Sequence, residues 1–362
     1  MPTGASLTRM ARHAQSWLTC LVTIGAVVWL LCHPMFGSVA ALLQQARISP
    51  FLLALALIPV LQWFRAWRFS MLLTADQRSP SWAMLRLTAQ LSFLNLALPF
   101  KIGDFSFPLI AKRALGTRVP HAMGTMLWCR LLDLCVVGSL LLLYGGLAWT
   151  PGLEAGYRTV VLGASAACLL APFALPLMVT TLISMPRSRS ASEFLREGLA
   201  ESTRVLQAVG GRVFCVGVTI AIWLIHGWIC YLAAIAVASD LTFVAAALAA
   251  SASNLGFALP VTGVAGLGPP QAAWSAALQL LGVDWGVAVA TALMAYGCLV
   301  LGSFLTATAT GLWPLDGLPL KRNSPKIVDR HHHACPVPAR TTTTPRGSSR
   351  LPLPSTEPRL LA

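Results

Sequence analysis

Apolar residues gather along this chain in blocks of about twenty or more, the length a helix needs to cross the hydrocarbon core of a bilayer. Blocks of that size run over roughly residues 16–37, 50–73, 119–148, 157–183, 212–238 and 286–313. Two further apolar regions, 83–115 and 241–281, are each interrupted near the middle by Pro and Gly. The first breaks at Pro99-Phe-Lys-Ile-Gly103. The second breaks at Pro260-Val-Thr-Gly263 and continues through Gly266-Leu-Gly268-Pro-Pro270. Such breaks free backbone N–H and C=O groups that lipid cannot satisfy, so protein or a water-filled cavity must surround them. The pattern predicts an all-α polytopic membrane protein of about six full spans plus two re-entrant or broken-helix hairpins.

Composition agrees. Of 362 residues, 56% are hydrophobic and 10% charged, against about 25% charged in an average soluble domain. A net charge of +14 raises the question of nucleic acid, but its distribution excludes that partner. With the N-terminus inside and each hairpin returning to its own side, the cytoplasmic face collects Arg9, Arg12, Arg65, Arg68, Arg78, Arg86, Lys112, Arg113 and Arg118. It also takes Arg187, Arg189, Arg196, Arg204, Arg212 and the tail from Lys321 to Arg359, while the opposite face receives only Arg47 and Arg158. That asymmetry is the positive-inside pattern. It predicts a multi-pass protein of the cell inner membrane with both termini cytoplasmic. Arg9, Arg12 and His13 precede the apolar stretch from Trp17 to Leu31 without a small-x-small cleavage site after it, so the first span is expected to stay uncleaved.

Three spans separate the hairpins, and an odd number inverts the second relative to the first. Local sequences also rhyme. Asn95-Leu-Ala-Leu-Pro99 returns as Asn254-Leu-Gly-Phe-Ala-Leu-Pro260, and Leu115-Gly116 as Leu281-Gly282. Parity and rhyme together predict an inverted repeat, with halves at about 16–148 and 157–313 of a domain covering 16–313. Residues 1–15 form a cytoplasmic N-terminus. Within about 186–211, Phe194, Leu195, Leu199, Val205 and Leu206 lie among charges as an amphipathic cytoplasmic segment. Residues 314–362, rich in Pro, Thr, Ser and Arg, read as a disordered basic tail.

Once the flanking charges are assigned, Lys101, Asp104, Arg130 and Asp133 remain near membrane depth. A charge at the bilayer centre costs about 2.5–3.5 kcal/mol even on insertion scales, so such residues are candidates for function. Lys101 and Asp104 flank the first break. Arg130 and Asp133 stand i, i+3 on the next span and share a helix face. Arg130 lies about 16 Å along that span, near the midplane. The four predict one network around a polar cavity, against the plainer alternative that Arg130 and Asp133 only neutralise each other. Arg65 and Arg68 read as snorkelling residues at an aromatic belt, with Arg68 also able to meet a lipid phosphate. His121 and His226 read as satisfied core histidines, and the nine cysteines as small hydrophobes. Paired carboxylates with a nearby His, a phosphate loop and an H-E-x-x-H helix are not found in the sequence. No catalytic residue, metal or cofactor is therefore expected, and the protein reads as a non-enzyme.

The string Asn95-x3-Pro99-Phe-Lys101-Ile-Gly103-Asp104, then Lys112-Arg113 and Arg130-Leu-Leu-Asp133, resembles the first half of the lysylphosphatidylglycerol synthase transmembrane (flippase-like) family. Arg65-Ala-Trp-Arg68 is similar to that family's Arg-rich motif. Leu259-Pro260-Val-Thr-Gly263-x-x-Gly266-Leu-Gly268-Pro-Pro-Gln271 resembles its Pro-x-x-Gly-Gly-x-Gly-x-x-Glu motif, with Gln271 where the family carries the acid. Phe107 or Pro108 and Tyr296 stand at positions where an Arg is usual. The resemblance covers about residues 15–313 and implies a fold with inverted re-entrant elements that handles lipids. The aminoacyl-transferase domain of bifunctional members has no counterpart here, so synthase activity is not expected. Membrane lipids are the implied partners, with translocation of a phospholipid or isoprenoid-type lipid as the leading reading. Lys101 and Arg130, with Arg68, would bind the head group, steadied by Asp104 and Asp133. The hairpin backbone around Asn95, Pro99, Gly103, Asn254, Pro260, Gly263, Gly266, Gly268 and Gln271 would frame the site. A lipid-binding accessory that scaffolds a membrane biosynthetic enzyme, and an ion-coupled small-solute transporter, are the other two readings.

Overall fold

The computed structural model describes residues 36–74, 81–98, 102–148, 155–184, 198–200, 202–203, 206–258 and 266–311. The predicted first span up to residue 35, Pro99, Lys101, Pro260, Gly263 and the basic tail from 314 onward lie outside them. The described residues form ten helices. They are α1 (Phe36–Gln44), α2 (Ile48–Thr74), α3 (Trp82–Ala97), α4 (Ile102–Leu115), α5 (Val119–Ala148), α6 (Ala155–Ser184), α7 (Val209–Ile235), α8 (Phe243–Ala258), α9 (Pro269–Gln279) and α10 (Trp285–Ala309).

Five stretches are long and apolar enough to cross a membrane: Ile48–Leu73, Val119–Ala148, Gly156–Leu175, Val209–Ile235 and Trp285–Ala309. They coincide with five of the six predicted spans, and the chain is an all-α polytopic membrane protein. The interrupted regions become the helix pairs α3–α4 and α8–α9. The members of each pair pack on each other. Sixteen residues in α3 or α8 extend about 24 Å and the eleven of α9 about 16 Å, so each falls short of a full crossing.

Local chemistry sets the ends. Ser81 caps α3 by accepting from the Met84 N–H at 3.2 Å, and Asp284 caps α10 through the Gly286 N–H at 2.8 Å. Gly268, at φ +117°, turns the chain into Pro269 and Pro270, which open α9 with their missing N–H groups where none is needed. The rhyming glycines behave alike. Gly116 (φ +70°) and Gly282 (φ +80°) each follow the second helix of a pair in the left-handed conformation.

α10 is central, with 56% of its most apolar window buried inside the protein, whereas α6 is peripheral at 11%. Bonds to α5, such as Ser165 Oγ to the Ser139 carbonyl at 2.8 Å, hold α6 in place.

Two features add to the expected plan. The helix α1 is an addition, joined to the core by packing on α10. The described part of the amphipathic segment turns its small polar side inward: Ser202 and Thr203 are buried with Leu206. Thr203 Oγ1 accepts from Trp128 Nε1 at 3.2 Å, and Ser202 bonds Thr125. Gly124 and Gly198 let the two backbones touch, since a Cβ on either would run into the other's chain.

Candidate functional site

The membrane-depth charges meet between α2, α3, α4, α5 and α7. Asp133 is the hub. Arg68 binds it in a forked pair, Nη1 to Oδ1 at 2.6 Å and Nη2 to Oδ2 at 3.1 Å. Trp223 Nε1 donates to the same Oδ1 at 2.9 Å. Arg68 also reaches Thr219 Oγ1 at 3.1 Å, whose hydroxyl in turn donates to the Cys215 carbonyl. Arg68 is 3% exposed, so it does not snorkel. Its planar fork is the side chain suited to a desolvated carboxylate.

Arg130 and Asp133 share a helix face as the spacing predicts, yet they stand 3.9 Å apart. Arg130 instead turns to Asp104 of α4, contacting both carboxylate oxygens through Nη2. Pairing within one helix loses to pairing between helices, because Arg68 supplies the better-aligned fork for Asp133. Asp104 is held from a second side. Asn95 Nδ2 donates to its Oδ1 at 2.6 Å, and Asn95 Oδ1 accepts from the Asp104 N–H at 2.9 Å. The terminal turn of α3 therefore satisfies a first-turn N–H of α4. Gly103 makes room for it: a Cβ there would occupy the space of the Asn95 amide. Asn95→Asp should destabilise the protein by about 1 kcal/mol or more, since a second carboxylate would face Asp104. Asn95→Ala should cost about the same. Heat-unfolding midpoints in detergent check both, and an unchanged Asn95→Asp midpoint would remove Asn95 as the clamp.

Beside this network lies a cavity of about 380 Å³, within the range of small-molecule sites. Its described lining comes from α2, α3, α5, α7, α8, α9 and α10. Arg65, Arg68, Arg130 and Asp133 line one part, and both rhyming asparagines, Asn95 and Asn254, line it as well. Arg65 donates to Ser92 Oγ at 3.2 Å, and the Ser92 hydroxyl donates to Gln62 Oε1 at 2.9 Å. Among the described residues Arg65 has no carboxylate partner. The group of Arg65, Arg68, Arg130, Asp104 and Asp133 carries one positive charge more than negative. Arg130 is 43% exposed. Leu134 at 56% and Leu255 at 37% also line the cavity, which gives it apolar edges toward the surroundings.

The second half contributes no charge to the described lining. Asn254 Nδ2 donates to the Ala250 carbonyl at 2.7 Å and lies 3.3 Å from His226 Nε2. Gln271 Oε1 accepts from the Gly268 N–H at 2.8 Å, completing half of a capping box. Tyr296 donates to the Leu96 carbonyl at 3.0 Å, linking α10 to α3. His121 is satisfied by the Leu72 carbonyl at 3.2 Å. His226 is not satisfied, since its Nδ1 is buried without a partner.

The structure thus joins Arg68, Asp104, Arg130 and Asp133 with Asn95 and Gly103. Gln271, Gly268 and Gly266 sit at the other end, and Lys101 lies outside the described residues. Arg65, Ser92, Trp223 and His226 enter the site in addition. The i, i+3 step from Arg65 to Arg68 signals a shared face. The stripe Thr219, Trp223, His226, Cys230, at steps of four, three and four, signals another.

The family model described as the lysylphosphatidylglycerol synthase TM region matches residues 16–306. No curated protein and no solved structure matches the chain. With most of its length covered, helices that fit spans and a charged cavity among them, this chain belongs to the lysylphosphatidylglycerol synthase TM region family, membrane proteins of lipid-related processes.

Proposed function

We propose that the chain moves an anionic lipid, a phospholipid or an isoprenoid-type lipid phosphate, between the leaflets of the cell inner membrane. The observation that carries this reading is the cavity of about 380 Å³ bordered by Arg65 and Arg130 with one uncompensated positive charge. A lone excess cation near the bilayer centre is costly. A head-group phosphate supplies the missing charge and takes the N–H groups of Arg65 and Arg130 that the protein leaves free. Acyl or prenyl chains would remain in the bilayer beyond Leu134 and Leu255. The charge asymmetry of the loops supports cytoplasmic termini, and the two broken helix pairs support access from opposite leaflets.

Leaflet-resolved movement of labelled phosphatidylglycerol in proteoliposomes tests the proposal. Arg65→Ala and Arg130→Ala should each slow movement about tenfold or more, since a hydrogen-bonded charge contact is worth that factor. Detergent unfolding of the same variants verifies that they fold. Undiminished movement in both folded variants would remove the site.

A further inference from the structure

We propose that the part of the cavity built by α7, α8 and α9 selects an uncharged, oxygen-rich head group, a polyol or sugar joined through phosphate, and rejects one that ends in an ammonium. This rests on the reading that the cavity receives lipid head groups.

An ammonium needs an acceptor, best a carboxylate, to replace its water. Among the described lining residues Asp133 is the only acid. Its Oδ1 takes Arg68 and Trp223, and its Oδ2 takes Arg68 with Arg130 nearby. Asp104 is outside that lining and is engaged by Arg130 and Asn95. An incoming ammonium would therefore meet three arginines and no unoccupied carboxylate.

Asn254 Nδ2 donates to the Ala250 carbonyl, which fixes the amide's orientation, so the same nitrogen faces His226 Nε2. Cys230 Sγ lies 3.6 Å from that Nε2. An amide nitrogen can only donate, so Nε2 accepts, and the neutral ring carries its proton on Nδ1. That Nδ1–H is buried with no partner. Gln271 presents the same polarity: its oxygen is taken by the Gly268 N–H, leaving the Nε2 amide hydrogens buried and unmet. Both side chains line the cavity, and both ask for an acceptor. Hydroxyl and ether oxygens provide acceptors without bringing a positive charge. Both nitrogens are buried in this conformation, so binding of the acceptor requires local rearrangement.

The purified full chain, titrated with short-chain lipids and read by native mass spectrometry, tests the inference. Phosphatidylglycerol should bind about tenfold more tightly than phosphatidylethanolamine, and also more tightly than phosphatidic acid, which has the phosphate without the polyol. Gln271→Glu keeps an oxygen for the Gly268 N–H while adding an acid, so it should shift the preference toward phosphatidylethanolamine by about tenfold. His226→Ala should weaken phosphatidylglycerol and leave phosphatidic acid unchanged. Equal binding of phosphatidylglycerol and phosphatidylethanolamine by the unaltered chain, or an unmoved ratio in Gln271→Glu, overturns the selectivity alone. Failure of all three lipids to bind overturns the lipid-handling reading as well.

Discussion

Asp133→Ala should destabilise the protein by about 3–5 kcal/mol, the cost of leaving a buried cation without its partner. Arg68 would lose both bonds of its fork while remaining 3% exposed in the packing between α2, α5 and α7. Trp223 Nε1 would lose its acceptor, and Arg130 would keep only Asp104. The double variant Arg68→Met, Asp133→Leu should recover most of the loss, because removing both members of a buried pair avoids the unpaired charge. Unfolding of the single and double variants in detergent measures the difference. If the double variant were as unstable as Asp133→Ala alone, the pair would not be the source of the penalty. A stable double variant without the proposed lipid movement would locate a second role for the pair, in positioning Arg130.

Much of this site was legible in the sequence. Charges stranded in apolar segments stand out because lipid makes them expensive, and Asp104, Arg130 and Asp133 stand out that way, whereas Arg68 reads from the sequence as a snorkelling residue. Their pairing was not legible. Spacing joins Arg130 to Asp133, whereas the fold gives Asp133 to Arg68, 65 residues away, and Arg130 to Asp104. Helix periodicity reports neighbours on one helix only, and the partner on another depends on how the helices cross. Spans α2, α5, α6, α7 and α10 follow directly from hydropathy. The short α1 carries too few residues to register as a span. Ser202 and Thr203 pack inward beside Leu206, because close contact between Gly124 and Gly198 favours small residues there.

The two halves of the chain divide the chemistry. Asn95 and Asn254 occupy corresponding places at the ends of α3 and α8, and both line the cavity. Asn95 clamps a charged partner, Asp104, while Asn254 meets a neutral one, His226. Here one side holds an excess of positive charge and the other a set of unmet neutral donors. An asymmetric ligand with an anionic centre and a neutral polar end matches that division, and it can satisfy both sides without a second charge.

Gly256→Val should cost about 3 kcal/mol and disable the cavity as well. A Cβ at Gly256 would lie 2.7 Å from the Pro269 carbonyl oxygen and 2.9 Å from Pro270 Cα. These are backbone atoms at the start of α9, and no rotamer moves them aside. Relief would require α9 to retreat from α8, and α9 carries Gln271 and Trp274, both in the cavity wall. Trp274 would also strain its 3.1 Å bond to Thr291 Oγ1 on α10. The same substitution at Gly217 provides the contrast. Gly217 is exposed in the interior of α7 with nothing within 4 Å of a new Cβ. There valine replaces the poorest helix former short of proline, and stability should stay within about 0.5 kcal/mol of the unaltered chain. Detergent unfolding and lipid movement, measured on both variants, decide the matter. If Gly256→Val unfolds and transports like Gly217→Val, close apposition of α8 and α9 does not shape the cavity. If it loses both while Gly217→Val keeps both, the cost belongs to the helix contact and not to glycine replacement as such.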